Sequence, residues 1–385
     1  MEKTNRSSLF VLFSVVVIDL IGFAIIIPIL PFYVESFGAS AATLGLLLSC
    51  YAAMQFFFAP LWGKLSDRIG RKRVLLMTIA GTSLALGLLG WAPSLAWLFA
   101  ARILGGFFSA NIGVATAFVT DITTEENRTH GMGLIGAAFG IGFILGPALG
   151  GWLAPRGYHV PMLAASFLAL INLIYASVIL KEPARHKEQA ETIPDTHVLR
   201  NATVRNLCLL NLFFTIAMSQ LEATFAFFMM DRFQYDARAV AYLLVMVAVV
   251  MALIQGGAIR PLAKLFEEKK LAWVGALLVA LSFLTIPWIH SVAVLLIPLF
   301  VYGVGRSIAQ PSLLSLVSRS VNPRQTGAVM GTYQSSASLA RVLGPAVAGL
   351  LYDRSMAFPF YFASLLLTGI VLKILSEKIS ESGGR

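Results

Sequence analysis

Charged residues are scarce in this sequence: Asp, Glu, Lys and Arg together make up 12% of its 385 residues. Soluble domains contain about 25% charged residues, so the composition argues against a water-soluble protein. Hydrophobic residues make up 58% of the chain, and the mean hydropathy is +0.80. Such a composition is typical of a chain whose solvent is lipid.

Cysteine and histidine are also few. Cys50 and Cys208 both lie in apolar stretches, and the five histidines lack the spacing of metal ligands. We therefore expect neither a disulfide framework nor a metal site. The sequence contains no glycine-rich phosphate loop ending in Gly-Lys-Ser/Thr and no nucleophile and base in a catalytic pattern. Accordingly, we predict that the protein is not an enzyme and needs no cofactor.

Long apolar runs are what the sequence contains instead. A helix needs about 20 mostly apolar residues to cross the hydrocarbon core. Twelve such runs occur, at residues 9–34, 41–62, 73–92, 95–118, 130–153, 159–180, 204–229, 238–262, 271–289, 292–316, 326–351 and 357–376. The first run is too long for a secretory signal and no small-residue cleavage site follows it, so we expect a permanent helix. The predicted fold class is an all-α membrane protein with twelve transmembrane helices.

The distribution of basic residues predicts the orientation. If both termini lie in the cytoplasm, only four of the 29 Lys and Arg residues lie outside, namely Arg156, Arg232, Arg238 and Arg354. This asymmetry follows the positive-inside rule, and it explains the net charge of +10 without a nucleic-acid partner. We expect a monomeric multi-pass protein of the bacterial cytoplasmic (inner) membrane, with both termini cytoplasmic.

The polar segment 181–203 divides the twelve spans into six and six. We predict an N-terminal six-helix bundle at 1–180, a cytoplasmic linker at 181–203 and a C-terminal six-helix bundle at 204–385. The halves resemble each other: the stretches that begin at His130 and Ala328 align Met132 with Met330 and Gly146-Pro147 with Gly344-Pro345. A duplicated unit of this kind places a substrate site between the halves, near the midplane of the membrane.

The segment between the second and third spans reads Gly-Lys-Leu-Ser-Asp-Arg-Ile-Gly-Arg-Lys-Arg, from Gly63 to Arg73. It resembles the signature loop of the major facilitator superfamily. A basic inner loop would explain the lysines and arginines, but not the glycines or Asp67. The glycines permit a tight turn between helix ends, and Asp67 can cap a neighbouring helix and pair with an arginine. The resemblance implies a conformational gate that contains Gly63, Asp67, Arg68, Gly70, Arg71 and, at the end of the fourth span, Asp121.

The fifth span is rich in glycine and resembles the motif of drug/proton antiporters in this superfamily. The first span, in which Asp19-Leu-Ile-Gly22 leads to Pro28 and Pro31, resembles that of the 12-span, tetracycline-efflux-like branch. The small residues of the fifth span are Gly136, Gly140, Gly142, Gly146, Gly150 and Gly151, with Pro147 as the bending residue, and Gly344-Pro345 recurs in the eleventh span. Small residues four apart let helices approach closely, and proline bends them. The resemblance implies two pseudo-symmetric bundles, alternating access and drug efflux. Simple close packing of helices is the alternative.

Five ionisable residues lie inside apolar spans: Asp19, Glu222, Arg102, Arg306 and Arg341. Each costs about 2.5 to 3.5 kcal/mol near the bilayer centre, so such residues usually mark a path for protons, ions or a polar substrate. We expect Asp19 and Glu222 to carry the coupling proton. Arg102, which resembles part of a family motif associated with proton transfer, stays charged and can hold a carboxylate ionised. The alternative is that each acid forms a fixed ion pair that only orders helices.

Helical spacing predicts which other residues face the substrate. The candidates are Tyr51, Gln55, Asn111, Phe139, Phe143, Gln310, Gln334, Arg306 and Arg341. A few polar groups among many Phe and Met residues suit a tolerant apolar pocket.

These observations predict a proton-coupled antiporter that exports a hydrophobic or cationic drug-like small molecule. Tetracycline exporters carry a further acid in the ninth span, which 271–289 lacks, so a related drug is expected rather than tetracycline itself. A symporter, uniporter or exporter for a sugar, an organic anion or a lipid-like metabolite is the alternative, with Arg306 and Arg341 as anion ligands. A receptor or a channel would not explain the midplane acids.

Overall fold

A computed structural model of the chain describes residues 2–183, 201–320 and 326–376. Within these residues the secondary structure is helical and contains no strand, which confirms the all-α class. Eleven helical segments of the described residues are long and apolar enough to cross a membrane, and one of them, Leu95–Ile122, contains two α-helices. The predicted span 326–351 corresponds to a helix of 29 residues, Thr326–Arg354, which is long enough but contains three serines, one glutamine and two arginines. Residues 184–200 of the predicted linker lie outside the described residues.

The first half of the chain contains eight helices in the described ranges. They are α1 Glu2–Ile26, α2 Leu30–Glu35, α3 Ala41–Ile69, α4 Arg71–Gly90, α5 Leu95–Phe108, α6 Asn111–Ile122, α7 Glu125–Leu153 and α8 His159–Ile179. A short 3₁₀ turn, Ala154–Arg156, follows α7.

The second half contains seven α-helices in the described ranges. They are α9 Ala202–Phe233, α10 Ala237–Leu253, α11 Ile259–Leu265, α12 Glu268–Thr285, α13 Val292–Arg319, α14 Thr326–Arg354 and α15 Phe358–Ser376. A π-helical segment, Ile254–Ala258, joins α10 to α11 and contains two glycines.

The first predicted span is interrupted between α1 and α2. Proline at position 28 has no N–H and its ring clashes with the preceding turn, which disfavours a continuous helix; here α1 ends two residues before it. The chain instead makes two tight turns, in which Ile27 N donates to Ala24 O (3.3 Å) and Ile29 N donates to Ile26 O (3.0 Å).

The fourth predicted span, 95–118, is also interrupted, at Ser109 and Ala110 between α5 and α6. Within a membrane, a break of this kind persists only where other groups satisfy the freed backbone atoms. Here Ser109 N donates to Gly106 O (3.2 Å) and Ala110 N donates to Phe108 O (2.8 Å).

The described chain forms two compact units. The first contains Met1–Ala39, Cys50–Glu188 and Tyr235–Val245, and the second contains Ser40–Ser49, Gln189–Gln234 and Met246–Arg385. In the first unit α1 packs against α7 and α8, and α4 packs against α5 and α8. In the second unit α9 packs against α14 and α15, and α12 packs against α13 and α15. The contact pattern is thus the same in both units, as a duplicated unit requires; the domain boundaries at 180 and 204 stay a prediction.

Candidate functional site

Arg71, the first residue of α4, is the centre of a charge cluster. Its Nη1 lies 2.6 Å from Asp67 Oδ1, and its Nε lies 2.8 Å from Asp121 Oδ2. Nη1 also donates to Ser66 Oγ at 2.6 Å. The Arg71 and Asp121 side chains are only 11% and 16% exposed, whereas Asp67 is 57% exposed. The pair with Asp121 is therefore shielded from water, and the pair with Asp67 is not.

The turn that precedes α4 consists of Gly70 alone, with φ +115°. Gly63 lies inside α3 instead of in the turn, and a Cβ built there would meet no atom within 4 Å. The sequence-based expectation that both glycines form the turn is therefore wrong for Gly63. At Gly70 a Cβ would lie 2.7 Å from the carboxylate of Glu182, so no larger side chain fits without displacing this group.

Glu182 also lies at the N-terminus of α4, where it accepts a hydrogen bond from Lys72 N at 3.2 Å. The Lys72 Nζ in turn donates to the Ser177 carbonyl, in the last turn of α8, at 2.7 Å. The negative charge of Glu182 at the N-terminus of α4 and the positive charge of Lys72 at the C-terminus of α8 both interact favourably with the helix dipoles. Thus Glu182, and not Asp67, caps α4. Sequence reasoning missed Glu182 because its only signal is an acid directly after an apolar span.

Three glycines of α7 lie in close contact with α1. A Cβ at Gly142 would lie 2.6 Å from Leu20 Cβ, and a Cβ at Gly146 would lie 2.5 Å from Ala24 Cβ. At Gly150 the Ile25 carbonyl oxygen would lie 2.5 Å away. Contacts this short do not occur between real Cβ atoms, so glycine is required where the two helices meet.

The other glycines of this motif differ. A Cβ at Gly151 would lie 2.6 Å from Ala241 Cβ of α10. Gly136 and Gly140 have no atom within 4 Å of a built Cβ. Close packing therefore accounts for part of the glycine pattern and leaves Gly136 and Gly140 unexplained.

The equivalent glycine of the second unit, Gly344 in α14, lies against α9, where a Cβ would be 2.6 Å from Ser219 Cβ. The Pro345 carbonyl lies against Gly45, in the part of α3 that belongs to the same unit. Pro147 and Pro345 both lie inside their helices, so each removes one helical hydrogen bond at the level of the close contact.

Asp19 of α1 is hydrogen-bonded to the helix break of the fourth span. Asn111, the first residue of α6, donates from Nδ2 to Asp19 Oδ1 at 2.7 Å. Asn111 is buried, and Asp19 is partly buried. No ion pair of the described residues includes Asp19.

Arg102 of α5 is buried, with 7% of its surface exposed. Its guanidinium lies over the ring of Tyr51, 4.0 Å from the centroid, and its Nε has no hydrogen-bond partner. A cation–π contact with a desolvated cation stabilises by about 2 kcal/mol. Among the described residues Arg102 forms no ion pair, so the structure does not bring together the expected carboxylate and this arginine.

Tyr51 and Gln55, successive turns of α3, both bind Ser109 at the break between α5 and α6. The Tyr51 hydroxyl donates to Ser109 Oγ at 2.6 Å. Gln55 Nε2 donates to the same Oγ at 2.9 Å and to the Ser109 carbonyl at 3.2 Å. Side chains thus satisfy the backbone that the break exposes. Ser109 was not predicted, although its position between a glycine pair and Asn111 is a signal of a break.

Aromatic rings form a row through the first unit. Phe139 and Phe143 of α7 lie 6.1 Å apart, Phe143 lies 6.4 Å from Phe23 of α1, and Phe23 lies 6.2 Å from Tyr51. Phe23 was missed because nothing in its sequence context separates it from the other phenylalanines. A small cavity of about 30 Å³ lies beside Phe23, Tyr51 and Arg102, which is room for a water molecule or two.

In the second unit Glu222 of α9 pairs with Arg306 of α13. Glu222 Oε1 lies 2.7 Å from Arg306 Nη1, and the same nitrogen donates to the Tyr302 hydroxyl at 2.6 Å. The Glu222 side chain is 50% exposed, although Leu221 and Ala223 on either side are buried. Tyr302 was not predicted; it lies one turn before Arg306 on the same face of α13.

The remaining candidates of the second unit are exposed. Arg341 of α14 donates from Nη2 to Ser338 Oγ, one turn earlier, at 3.0 Å. Gln310 and Gln334 are exposed as well. Since α9, α13 and α14 contact one another, Glu222, Arg306 and Arg341 lie on three helices that pack together.

Comparisons with known proteins agree with this architecture. The Major Facilitator Superfamily model matches residues 12–345 and 259–380. The chain is 30% identical to the class H tetracycline resistance protein of Pasteurella multocida, over 95% of this chain and 94% of the relative. It is also 30% identical to Multidrug resistance protein 1 of Bacillus subtilis, over 97% of both. Among solved structures, the human organic anion transporter MFSD10 has a TM-score of 0.73 and 27% identity, with 96% of this chain and 99% of that chain covered.

Proposed function

The chain belongs to the major facilitator superfamily, and on this basis we propose that it is a secondary active transporter: a proton-coupled antiporter that exports a hydrophobic or cationic drug-like molecule by alternating access. Support comes from relatives named as tetracycline and multidrug resistance proteins, which match nearly the whole chain. As a bacterial drug exporter it would act in the inner membrane, with both termini cytoplasmic, and would carry out no covalent chemistry.

Asp19 and Glu222 carry the coupling proton in this proposal. Asp19 is held by a neutral donor, the Asn111 amide, and Glu222 is held by the Arg306 guanidinium. Protonation of Glu222 removes the charge that holds Arg306, whereas protonation of Asp19 converts an acceptor into a donor and so rearranges its bond to α6. Each acid therefore links its charge to the contacts of a different pair of helices.

The proton gradient supplies enough free energy to export a drug against its own gradient. One proton that moves down 100 mV and one pH unit releases roughly 3.7 kcal/mol, which supports a several-hundred-fold gradient of a neutral drug.

The gate in this proposal is the cluster of Arg71 with Asp67 and Asp121. The pair with Asp121 is shielded and stays intact, whereas the pair with Asp67 is in water and costs little to break. We therefore expect Asp67 to leave Arg71 when the protein changes conformation.

The substrate surface of the first unit is the aromatic row from Phe139 to Tyr51. The Tyr51 hydroxyl and the Gln55 amide nitrogen are already hydrogen-bonded to Ser109, so in this conformation Tyr51 offers the substrate mainly its aromatic face. The arrangement suits recognition by shape and apolar area with few directed hydrogen bonds.

The ion pair between half-exposed Glu222 and Arg306, inside two apolar spans, is the single observation that carries the proposal. The test uses proteoliposomes with an imposed pH gradient, a lipophilic drug and a dye that reports internal pH. We expect drug movement against proton flow in the wild type and loss of coupling in Asp19→Asn and Glu222→Gln. Glu268→Gln is the matched control, because it breaks another acid–arginine pair of the second unit. Glu268 is the first residue of α12, and its Oε1 lies 3.0 Å from Arg319 Nη2. If Asp19→Asn and Glu222→Gln both transport the drug against proton flow as the wild type does, the proposal is refuted.

Transport of an organic anion is the second candidate. The 27% identity to a solved organic anion transporter and the exposed Arg341 favour it. Co-directional flux of protons and an anion in the same vesicles would support this candidate and contradict antiport.

A further inference from the structure

The three membrane-embedded ionisable residues of the second unit do not balance in charge. Glu222 supplies one negative charge, and Arg306 and Arg341 supply two positive charges. Glu222 Oε1 lies 2.7 Å from Arg306 Nη1, so the charges of these two side chains largely neutralise each other. One positive charge therefore remains at the junction of α9, α13 and α14.

That charge is on Arg341. Its only hydrogen bond among the described residues is to the neutral hydroxyl of Ser338, at 3.0 Å. The ion pairs described in this unit join Glu222 to Arg306 and Glu268 to Arg319, so no described carboxylate is bound to Arg341. The residue is exposed, and its planar guanidinium presents several N–H donors in a geometry that matches a carboxylate.

The exposed residues of α13 and α14 suit a molecule that is polar at one end and apolar at the other. Gln334 lies two turns before Arg341 on α14, Gln310 lies one turn after Arg306 on α13, and both are exposed. Leu314, one turn after Gln310 on α13, is 41% exposed. A purely cationic molecule would meet a surplus of positive charge here, because the one carboxylate is already engaged by Arg306.

We propose that Arg341 binds an acidic group of the exported molecule, so that anionic and zwitterionic amphiphiles are preferred over cations of the same skeleton. This inference rests on the proposed function, proton-driven export of a drug-like molecule, and within it favours hydrophobic molecules that carry an acidic group over cationic ones. It also gives different roles to the two arginines: Arg306 serves the coupling acid, and Arg341 serves the substrate.

The test compares rhodamine B, which carries a free carboxylate, with its ethyl ester, which does not. Both dyes share the same cationic ring system, so the carboxylate is the difference between them. Binding is measured by fluorescence anisotropy in lipid nanodiscs, with empty nanodiscs subtracted. Transport of both dyes is then measured in proteoliposomes with an imposed pH gradient.

We expect the wild type to bind the acid about tenfold more tightly than the ester, which corresponds to roughly 1.4 kcal/mol. Arg341→Gln should remove this preference by weakening binding of the acid without weakening binding of the ester, and Arg341→Lys should retain part of the preference. Arg354→Gln is the matched control, because Arg354 is an exposed arginine at the C-terminal end of the same helix; this substitution should change the binding of neither dye.

The inference is overturned if the wild type binds the ester as tightly as the acid, or if Arg341→Gln weakens both dyes equally. Failure of the proposed function looks different: neither dye would then respond to the pH gradient, whatever the binding measurements show. Acid-selective binding without proton-driven transport would thus support the role of Arg341 and contradict antiport.

Discussion

Gly146→Ala adds a methyl group where α7 meets α1. The new Cβ would lie 2.5 Å from Ala24 Cβ and 2.9 Å from the Ile21 carbonyl oxygen. Carbon atoms in contact prefer about 3.5 to 4.0 Å, so the two helices must separate by roughly 1 Å at this point. Gly140→Ala, six residues earlier on the same helix, adds the same methyl group where no atom lies within 4 Å.

The two substitutions should change the free energy of unfolding in opposite directions. Overpacking typically costs about 1 to 3 kcal/mol, and replacing a glycine inside a helix by alanine gains about 0.5 to 1 kcal/mol. We therefore expect Gly146→Ala to destabilise by roughly 0.5 to 2 kcal/mol. Gly140→Ala should stabilise by about 0.5 to 1 kcal/mol.

The assay is thermal unfolding of both purified variants in one detergent, alongside drug transport in proteoliposomes. If Gly146→Ala unfolds at or above the temperature of Gly140→Ala, the close contact between α1 and α7 is refuted. Transport separates the two interpretations of the glycine motif. A role in antiport predicts that Gly140→Ala slows transport although the protein is more stable, whereas a role in packing alone predicts unchanged transport.

Three further predictions concern the charge cluster and the aromatic row. Arg71→Gln leaves the shielded Asp121 carboxylate unpaired and should destabilise by up to about 3 kcal/mol; an unchanged unfolding temperature would contradict the ion pair. Gly70→Ala forces alanine into a left-handed conformation and should cost on the order of 1 to 3 kcal/mol, whereas Gly63→Ala, inside a helix with open space, should be neutral or stabilising in the same unfolding assay. Tyr51→Leu removes the ring beneath the buried arginine of α5 and should destabilise by about 2 kcal/mol more than Tyr51→Phe; equal losses would show that only the hydroxyl matters.

Local sequence features predicted most of the helices. An apolar run of sufficient length forms a helix in lipid because every backbone group must be bonded within its own segment. The same local view missed the interruption at Ser109, since the break depends on Tyr51 and Gln55, more than 50 residues earlier. It also placed Gly63 in a turn, although α3 continues to Ile69. Such errors arise wherever a side chain from another helix decides the local geometry.

The candidate site was predictable as a list of residues but not as a set of contacts. Asp19, Glu222 and the three arginines are visible in the sequence because charges are rare and costly in apolar spans. Their partners are not: Asp19 meets Asn111, Arg102 meets the ring of Tyr51, and neither meets the other. Glu182 and Tyr302 were missed because their importance lies wholly in what they touch.

The sequence by itself determined the membrane environment, the approximate spans, the duplicated halves and the resemblance to a transporter family. These properties follow from composition and from patterns along the chain, because each apolar segment enters lipid as a helix on its own. The tertiary structure alone decided which glycines are closely packed, which arginine pairs with Glu222 and which is left with unbalanced charge. Those outcomes depend on the rotation of each helix about its axis and on its neighbours, and packing against other helices sets both.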